Sequence, residues 1–554
     1  MSFSRRQFVH RSALFAAAGL MPRAVWGSRA VVPALTGVST ARADRSVLRA
    51  LALRAVDAAR SAGATYADVR VIRSIEQSFS HERTDVVGCS VSDSERLGIG
   101  VRALVNGCWG FAATPYLEPD DAARAGSVAT MIAKTNAAVA PRSLEWAPLP
   151  GPTGEWTSPI RIDPFSIPIE ERIDFMNAWR QSIVDAPKHG VIAVPATSSM
   201  QFAREERIMV SSEGMDVVQT IYTTIASFRL EVAPRDWRAR EEGKGAQMRA
   251  RGLGARQAGW ELMLDARLRD QVPRLLDDGR ELISSPEQPT QAGRYDVVFD
   301  SPTMASLLGY TIGLSTELDR ALGDEANASG TSFLGPAPIA LLGTQRLGAP
   351  SVTVTANRSA PGGVATVKWD DEGVVPETFT LVTNGVLTDY QTTREQASLL
   401  APWYRARGKP VRSNGCASAS WAFGVPMSRV PNLALEPSKG TSSFADLVAG
   451  TKRGLAIMGA DVSTDFQARR GWTDGGRVRL ITNGKLGPRL SDAGAIFSTV
   501  ELWKSITALG GHASIEPTTL GYFKGQPGIP SQFTVAAPAA CATNISVIDT
   551  RRLA

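Results

Sequence analysis

Histidine, cysteine and long apolar runs are scarce in this chain, which has four histidines and four cysteines among 554 residues. The cysteines form no CxxC pair, which argues against a disulfide-dense scaffold or a zinc knuckle. No apolar run reaches the length that a membrane-spanning helix needs. The HExxH, GxxxxGKS/T, GxSxG and GxGxxG patterns are also absent, so the common zinc-hydrolase, nucleotide, serine-hydrolase and dinucleotide signatures are excluded.

The charge balance gives no support for a nucleic-acid partner. Lys and Arg total 60 against 54 acids, but residues 1–43 hold six arginines and no acid. Without that segment the remaining chain is neutral, with 54 basic residues facing 54 acidic ones. Hydrophobic residues at 43% and charged residues at 21% are typical of globular domains, and the length predicts two to four of them.

The first 43 residues have the layout of an export signal. Arg5 and Arg6 precede an apolar run over 13–21, and small residues at 41 and 43 form a candidate cleavage site. The arginine pair predicts a twin-arginine (Tat) signal peptide over 1–43 and a bacterial periplasmic or cell-envelope location. The alternative is an uncleaved amphipathic helix in which the arginine pair is a coincidence.

Hydrophobic periodicity predicts an α+β first region. The predicted helices are 46–62, 118–137, 169–184 and 266–282, and the predicted strands are 66–79, 97–104, 109–111 and 191–233, with a hairpin turn at 212–214. Seven prolines over 141–168 predict a connector without regular structure. The Arg-, Lys- and Gly-rich segment 241–257 is interpreted as a mobile solvated loop, the alternative being a lid over a substrate groove.

The second half predicts a large mixed or antiparallel sheet system. Asn384-Gly385 and Asn483-Gly484 each lie between β-branched runs, which is a strong hairpin signal. A buried strand over 294–300 leads into a helix from Pro302, where a first helical turn tolerates proline. Helices are also predicted at 444–458 and 497–509.

Few residues are available for a generic metal or acid–base site. His81, His189 and His512 are scattered, and each alone is better explained as a surface or structural histidine than as a ligand. The acidic run of Asp370, Asp371 and Glu372 could bind a hard cation, but a solvated acidic turn is the favoured interpretation. Cys89, Cys108, Cys416 and Cys541 could form one or two disulfides after export, or remain small buried residues.

Several segments, taken in order, resemble the TldD/PmbA family of metallopeptidases. The first region carries GATYADVR at 63–70, RLGIGVR at 96–102 and NGCWGFAAT at 106–114. The second carries WDDEGV at 369–374, NGVLTDY at 384–390 and KRGL at 452–455. The resemblance implies a two-domain α+β architecture, with an N-terminal domain over 44–285 and a metallopeptidase-like C-terminal domain over 286–554. It also implies a groove between the domains that takes an extended peptide by strand addition.

The zinc-bearing branch of this family has an HExxxH helix and a cysteine ligand near the C-terminus. In the aligned segment the two histidines correspond to Gly309 and Leu314, the general-base glutamate to Tyr310, and the cysteine to Leu520. Glycine and leucine have no donor atom, and a tyrosine with a pKa near 10 is a poor base. We therefore expect no zinc, no other cofactor and no catalytic residue at these positions.

Three functional hypotheses follow from the resemblance. The favoured one is an exported, zinc-free, non-catalytic subunit or peptide-binding pseudoenzyme in proteolysis, forming a homo- or hetero-oligomer with a zinc-bearing family paralogue. The second is an active metallopeptidase with a relocated zinc site, for example at His512 with Asp or Glu ligands. The third is another role on the same scaffold, such as cell-envelope assembly, for which no residue is specific.

Overall fold

The computed structural model describes residues 44–81, 89–139, 144–185, 191–234, 246–249, 254–285 and 287–553. The predicted signal peptide over 1–43 and most of the 241–257 loop lie outside these residues. Within the part of the chain that the structure describes, no helix is long and apolar enough to cross a membrane.

The N-terminal region, residues 44–285, is built on a seven-stranded sheet. Its strands are β1 (Tyr66–His81), β2 (Ser90–Val105), β3 (Cys108–Thr114), β4 (Thr153–Thr157), β5 (Val191–Ser211), β6 (Asp216–Pro234) and β7 (Ala246–Arg249). Their order in the sheet is β3-β2-β1-β5-β6-β4, with β7 also paired to β6. Its helices are α1 (Arg45–Ser61), α2 (Pro119–Val139), α3 (Ile169–Asp185) and α4 (Ala266–Ser284). The predicted helices and the 212–214 turn are therefore confirmed.

Alternation along the strands gives this sheet one face that packs beneath the helices and a second face, called the groove face below, that is directed at the C-terminal region. Val69, Val71 and Phe79 are fully buried beneath the helices. Ile72 and Glu76 point to the opposite face, because side chains two apart share a face of a strand. Part of the groove face forms one wall of the groove described below.

Two predictions about irregular segments in this region are wrong in part. The proline-rich stretch 141–168 contains β4, which pairs in parallel with β6 at the sheet edge. An edge strand needs hydrogen bonds on one side only, so the flanking prolines are tolerated there. Likewise, part of the predicted 241–257 loop is β7, which pairs with β6.

The C-terminal region, residues 287–553, contains two large sheets and a two-stranded ribbon. The first sheet is ten-stranded: β8 (Glu287–Pro289), β9 (Gly293–Phe299), β16 (Arg453–Met458), β17 (Asp461–Thr464), β18 (Arg470–Asp474), β19 (Arg477–Thr482), β20 (Lys485–Ser491), β21 (Ala493–Ser498), β22 (Ile506–Leu509) and β25 (Ala540–Asp549). The second is six-stranded: β10 (Val354–Asn357), β11 (Phe379–Thr383), β12 (Val386–Leu387), β15 (Asn432–Leu435), β23 (Thr518–Lys524) and β24 (Ile529–Ala536). The ribbon pairs β13 (Ala417–Ser418) with β14 (Met427–Ser428).

Parallel and antiparallel pairs occur in both large sheets, so the predicted mixed α+β architecture is confirmed. The short helices of this region are α5 (Ser301–Leu308), α6 (Leu318–Leu322), α7 (Arg394–Ala397), α8 (Ala401–Arg405), α9 (Phe444–Gly450) and α10 (Thr499–Lys504). Both Asn-Gly hairpins form, with positive φ at each Asn and Gly.

The predicted helices 444–458 and 497–509 are each about half wrong. The first ends at Gly450 and continues as β16, and the second covers only Thr499–Lys504 before β22. Short apolar runs have similar patterns in buried strands and helices. Both segments are strands because β16 pairs with β9 and β22 pairs with β25.

Helix α5 is the central element of the C-terminal core. The Asp300 side chain accepts from the backbone N–H of Thr303 and of Gly459, which fixes the start of the helix against a neighbouring strand. All eight residues of α5 are buried, and the helix contacts β16 and β17 of one sheet and β23 and β24 of the other. It continues into a wide, π-type turn at Gly309–Gly313.

Candidate functional site

The turn after α5, with Leu314 directly following it, carries the positions that the sequence resemblance aligns with the zinc motif. Gly309 lies against the side chains of Leu520 and Phe533, which are cross-strand partners on β23 and β24. A carbon atom added at Gly309 would overlap Leu520 Cδ1 and lie 3.0 Å from Phe533 Cε2. The structure thus brings Gly309 and Leu520 together, although 210 residues separate them in sequence. Leu314 belongs to the same apolar core.

Tyr310, which the resemblance aligns with the general-base glutamate, has a structural hydrogen bond. Its hydroxyl donates to the carbonyl of Gly521 over 3.0 Å, and burial raises the pKa of this phenol. A phenol that is already donating, with a raised pKa, cannot take a proton from water near neutral pH.

The residues at this position do not fit a zinc ion. Gly309, Leu314 and Leu520 provide no nitrogen, oxygen or sulfur side-chain donor, and side chains fill the space beside Gly309. Among the described residues no group of three or more His, Cys, Asp or Glu could hold a metal ion elsewhere.

The two histidines that the structure describes lie on separate elements, one in each region. His512 is exposed at the surface, His81 is buried in β1, and His189 lies outside the described residues. All four cysteines are free thiols in the structure.

The acidic run over 370–372 is not the solvated turn that the sequence predicted. Asp370, Asp371 and Glu372 are at most 2% exposed. Asp371 accepts from Arg207 at 2.6 Å, and Glu372 accepts from Arg102 at 3.0 Å. Buried carboxylates need such partners, so the run is a charged contact between the two regions of the chain.

Arg102 lies at the centre of this contact. It donates to Asp68 at 2.7 Å as well as to Glu372, and its guanidinium stacks 4.2 Å above the Trp109 ring. Arg394 makes a matching contact from the other side, donating to Glu213 at 2.6 Å. The Arg102–Glu372 and Arg394–Glu213 pairs tie the N-terminal region to the C-terminal region. The first pair is buried, whereas Glu213 in the second is exposed.

Neighbouring carboxylates in this contact differ in their pKa values. Burial favours the neutral form of Asp371, but the charges of Arg207 and Arg70 outweigh it and lower its pKa. Asp370 has no guanidinium within ion-pairing distance among the described residues, and burial together with the Glu372 charge raises its pKa to about 7.

Two glycines of the RLGIGVR motif explain how closely the two regions approach each other. An added carbon at Gly98 would lie 2.8 Å from the Phe423 ring, and one at Gly100 would overlap the carbonyl of Ala422. Arg70 holds the same segment by donating to the Gly424 carbonyl at 3.1 Å. Only a residue without a side chain permits this backbone approach.

Beside this contact lies a groove of about 1180 Å³ between the two regions. The groove face of the N-terminal sheet forms one wall, including Ile72, Glu76 and Arg207. The other wall comes from C-terminal segments around 358–367, 418–423, 429–430 and 530–532. A cleft of this size, apolar with a few polar groups, is the expected form of a ligand site.

One strand of the groove wall has an open edge. The Thr534 N–H bonds the Asn432 side chain, and the Pro530 carbonyl accepts from Ser420, so both residues direct backbone groups away from β23. Strand alternation places the N–H and C=O of Gln532 on that same side. The pairing of β24 with β15 covers only Val535 and Ala536, and within the described residues the Gln532 backbone has no hydrogen bond there.

The groove residues were not identified from the sequence. They lie on strands and loops of both regions that are distant along the chain, so no local spacing marks them. The RLGIGVR motif is recognisable in the sequence, but its packing against the C-terminal region depends on residues more than 300 positions away.

Comparisons with known proteins agree with this architecture. A model of the PmbA/TldA metallopeptidase domain 1 matches residues 67–133, and a model of the PmbA/TldA metallopeptidase C-terminal domain matches residues 292–548. A metalloprotease of Methanocaldococcus jannaschii is 23% identical over 442 residues, covering 77% of this chain and 86% of the relative.

Solved structures share the fold at low sequence identity. TldE from Thermococcus kodakarensis superposes with a TM-score of 0.65 at 17% identity, covering 90% of this chain and 99% of that one. A putative modulator of DNA gyrase from Thermotoga maritima gives a TM-score of 0.65 at 16% identity, with the same coverage.

The fold and the domain matches define a metallopeptidase homologue. The chain belongs to the TldD/PmbA family, as the motifs of both regions predicted.

Proposed function

We propose that this chain is a zinc-free, non-catalytic member of the TldD/PmbA family that binds extended peptides in the groove between its two regions. The observation that carries the proposal is the packing of Leu520 and Phe533 onto Gly309. A lost ligand leaves a gap, whereas here apolar side chains occupy the space and the ligand positions carry no donor.

Peptide binding is supported by the open edge of β24. An extended segment laid beside Gln532 would pair with its free backbone N–H and C=O, which is the usual mechanism of strand addition. The mixed apolar and polar lining of the groove suits a peptide of varied sequence.

The partner in this proposal is a zinc-bearing paralogue of the same family, with this chain as the peptide-holding subunit of the pair. The proposal also includes export by the Tat pathway, supported by Arg5 and Arg6 ahead of the apolar run. In a cell fractionation, Arg5→Lys with Arg6→Lys should retain the protein in the cytoplasm; an unchanged periplasmic fraction would contradict export by this route.

Elemental mass spectrometry of the purified chain, dialysed against a weak chelator, tests the absence of zinc. We expect negligible zinc in the natural chain. The matched variant carries Gly309→His, Tyr310→Glu, Leu314→His and Leu520→Cys together, which restores the donors while removing the Leu520 side chain that would block them. We expect it to gain about one zinc per chain.

Zinc near one per natural chain would refute the proposal. Peptidase activity that follows the zinc content of the natural chain would do the same. Zinc near zero in both proteins would contradict our assignment of the four positions while leaving the natural chain metal-free.

A further inference from the structure

The groove lining carries an excess of positive charge. Four arginines line it (Arg96, Arg207, Arg358 and Arg429), against two carboxylates (Glu76 and Glu205). Glu205 and Asp371 both pair with Arg207. Within the described residues, the other three arginines have no carboxylate within ion-pairing distance.

Arg429 is the least compensated of these side chains. It is 3% exposed, and among the described residues its one side-chain hydrogen bond joins Nη1 to the carbonyl of Ile529 at 3.3 Å. Its Nε and Nη2 atoms are buried and have no hydrogen-bond partner in that part of the chain. A buried guanidinium without an anionic partner is costly, so such groups are normally paired.

Arg358 adds a second buried charge to the same wall. It donates to the carbonyls of Ala365, Gly415 and Ala417, and burial lowers its pKa. Carbonyl oxygens satisfy its N–H groups without neutralising its charge. The wall is therefore electropositive at two side chains that are themselves withdrawn from solvent, where a charge acts strongly on an anionic ligand.

We propose that Arg429, supported by Arg358, is the carboxylate-binding subsite of this groove, and that the chain selects peptides carrying a carboxylate at that point. This inference rests on the proposed peptide-binding function. A guanidinium is a planar fork of donors that matches a carboxylate with two parallel hydrogen bonds, and Nε and Nη2 are the free pair.

The position of Arg429 determines where along the peptide the bound carboxylate lies. Arg429 bonds the carbonyl of Ile529, three residues before the free backbone groups of Gln532. At about 3.3 Å per residue, the two points are roughly 10 Å apart along β24. In a bound peptide, the residue whose carboxylate reaches Arg429 is therefore two to three positions from the residue that pairs with Gln532. A free C-terminus reaches Arg429 when the peptide runs antiparallel to β24, and an Asp or Glu side chain reaches it from within the sequence.

Fluorescence anisotropy with labelled hexapeptides of Ala and Gly tests the inference on the full chain. Four probes separate the two sources of the carboxylate: a free C-terminus, a C-terminal amide, an amide with one internal Glu, and an amide with Gln in its place. We expect one carboxylate probe to bind about ten- to a hundredfold more tightly than its neutral match. Preference for the free C-terminus identifies the α-carboxylate, and preference for Glu identifies an acidic side chain.

Variants assign the effect to Arg429. Arg429→Gln should abolish the preference, Arg429→Lys should retain part of it, and the exposed Arg405→Gln should leave it unchanged. Thermal melting checks that each variant is folded. If Arg429→Gln is unfolded, comparison of the carboxylate preference of the natural chain with that of Arg429→Lys still tests the inference. Equal affinity of the natural chain for all four peptides, or a preference that survives in folded Arg429→Gln, would overturn the inference while leaving peptide binding intact. Failure of the natural chain to bind any probe would refute the proposed function itself.

Discussion

Filling the space beside Gly309 should destabilise the protein unless Leu520 is shortened at the same time. In the Gly309→Ala variant the new methyl overlaps Leu520 Cδ1 and lies within 3.1 Å of two carbons of the Phe533 ring. All three residues are buried, so none can move into solvent to relieve the overlap.

The expected magnitude follows from packing. Overfilling a close-packed core by a methyl group costs about 1–3 kcal/mol, and we expect a loss of about 2 kcal/mol for Gly309→Ala. Leu520→Ala removes buried methyl groups and leaves a cavity, with an expected loss of about 2–4 kcal/mol. In the double variant the methyl added at position 309 no longer meets a leucine side chain. The total loss of stability of the double variant should therefore be about 1–2 kcal/mol smaller than the sum of the losses in the two single variants.

Urea unfolding, followed by tryptophan fluorescence and by circular dichroism, measures this double-mutant cycle. Two probes are needed because a chain with several sheets need not unfold in one step. Gly450→Ala is the control, since an added carbon at the end of α9 meets nothing within 4 Å; we expect no loss of stability there.

Additive effects within about 0.5 kcal/mol would refute this reasoning. So would a stabilised Gly309→Ala variant. Either result would mean that the apolar side chains do not fill the space beside Gly309, and the proposed absence of zinc binding would lose its structural basis.

Three further predictions concern the contact between the two regions and the buried carboxylates. Gly100→Ala, whose methyl overlaps the carbonyl of Ala422, should loosen the docking of the two regions and increase cleavage by a protease under native conditions; cleavage equal to that of the natural chain would contradict this. Glu372→Gln leaves Arg102 with one carboxylate fewer and should lower the free energy of unfolding in urea by about 3–5 kcal/mol. A loss below about 1 kcal/mol would show that this ion pair contributes little to stability. Burial raises the pKa of Asp389 to about 6, so the folded state binds the proton more tightly than the unfolded state and this group lowers stability as pH rises from about 4 to 6, by up to about 3 kcal/mol. Asp389→Asn should flatten that part of the stability profile, and an unchanged slope would contradict the raised pKa.

Local sequence patterns predicted much of the secondary structure. The Asn384-Gly385 and Asn483-Gly484 turns form because both positions require positive φ, which Asn and Gly adopt at low cost. Helix α1 follows its apolar period and ends before Gly63, whose φ of +98° is in the region that favours glycine. These features depend on neighbours within a few residues.

Predictions failed where distant pairing decides the conformation. The 453–458 segment has an apolar pattern compatible with a helix, yet it is a strand because β9 and β19 supply hydrogen bonds on both sides. The same limit explains the acidic run: its solvent exposure depends on Arg102 and Arg207, which no pattern near residue 370 indicates.

The sequence by itself determined the family, the α+β class, the local turns and the absence of a side-chain donor at Gly309, Leu314 and Leu520, because these depend on residue identity and short spacing. Only the tertiary structure decided which side chains pack around Gly309 and where the groove lies. Leu520 meets Gly309, and the groove beside Gln532 exists, because strands far apart in sequence pack against one helix and one another. Such contacts follow from the packing of the whole chain, in which each surface is set by its partner.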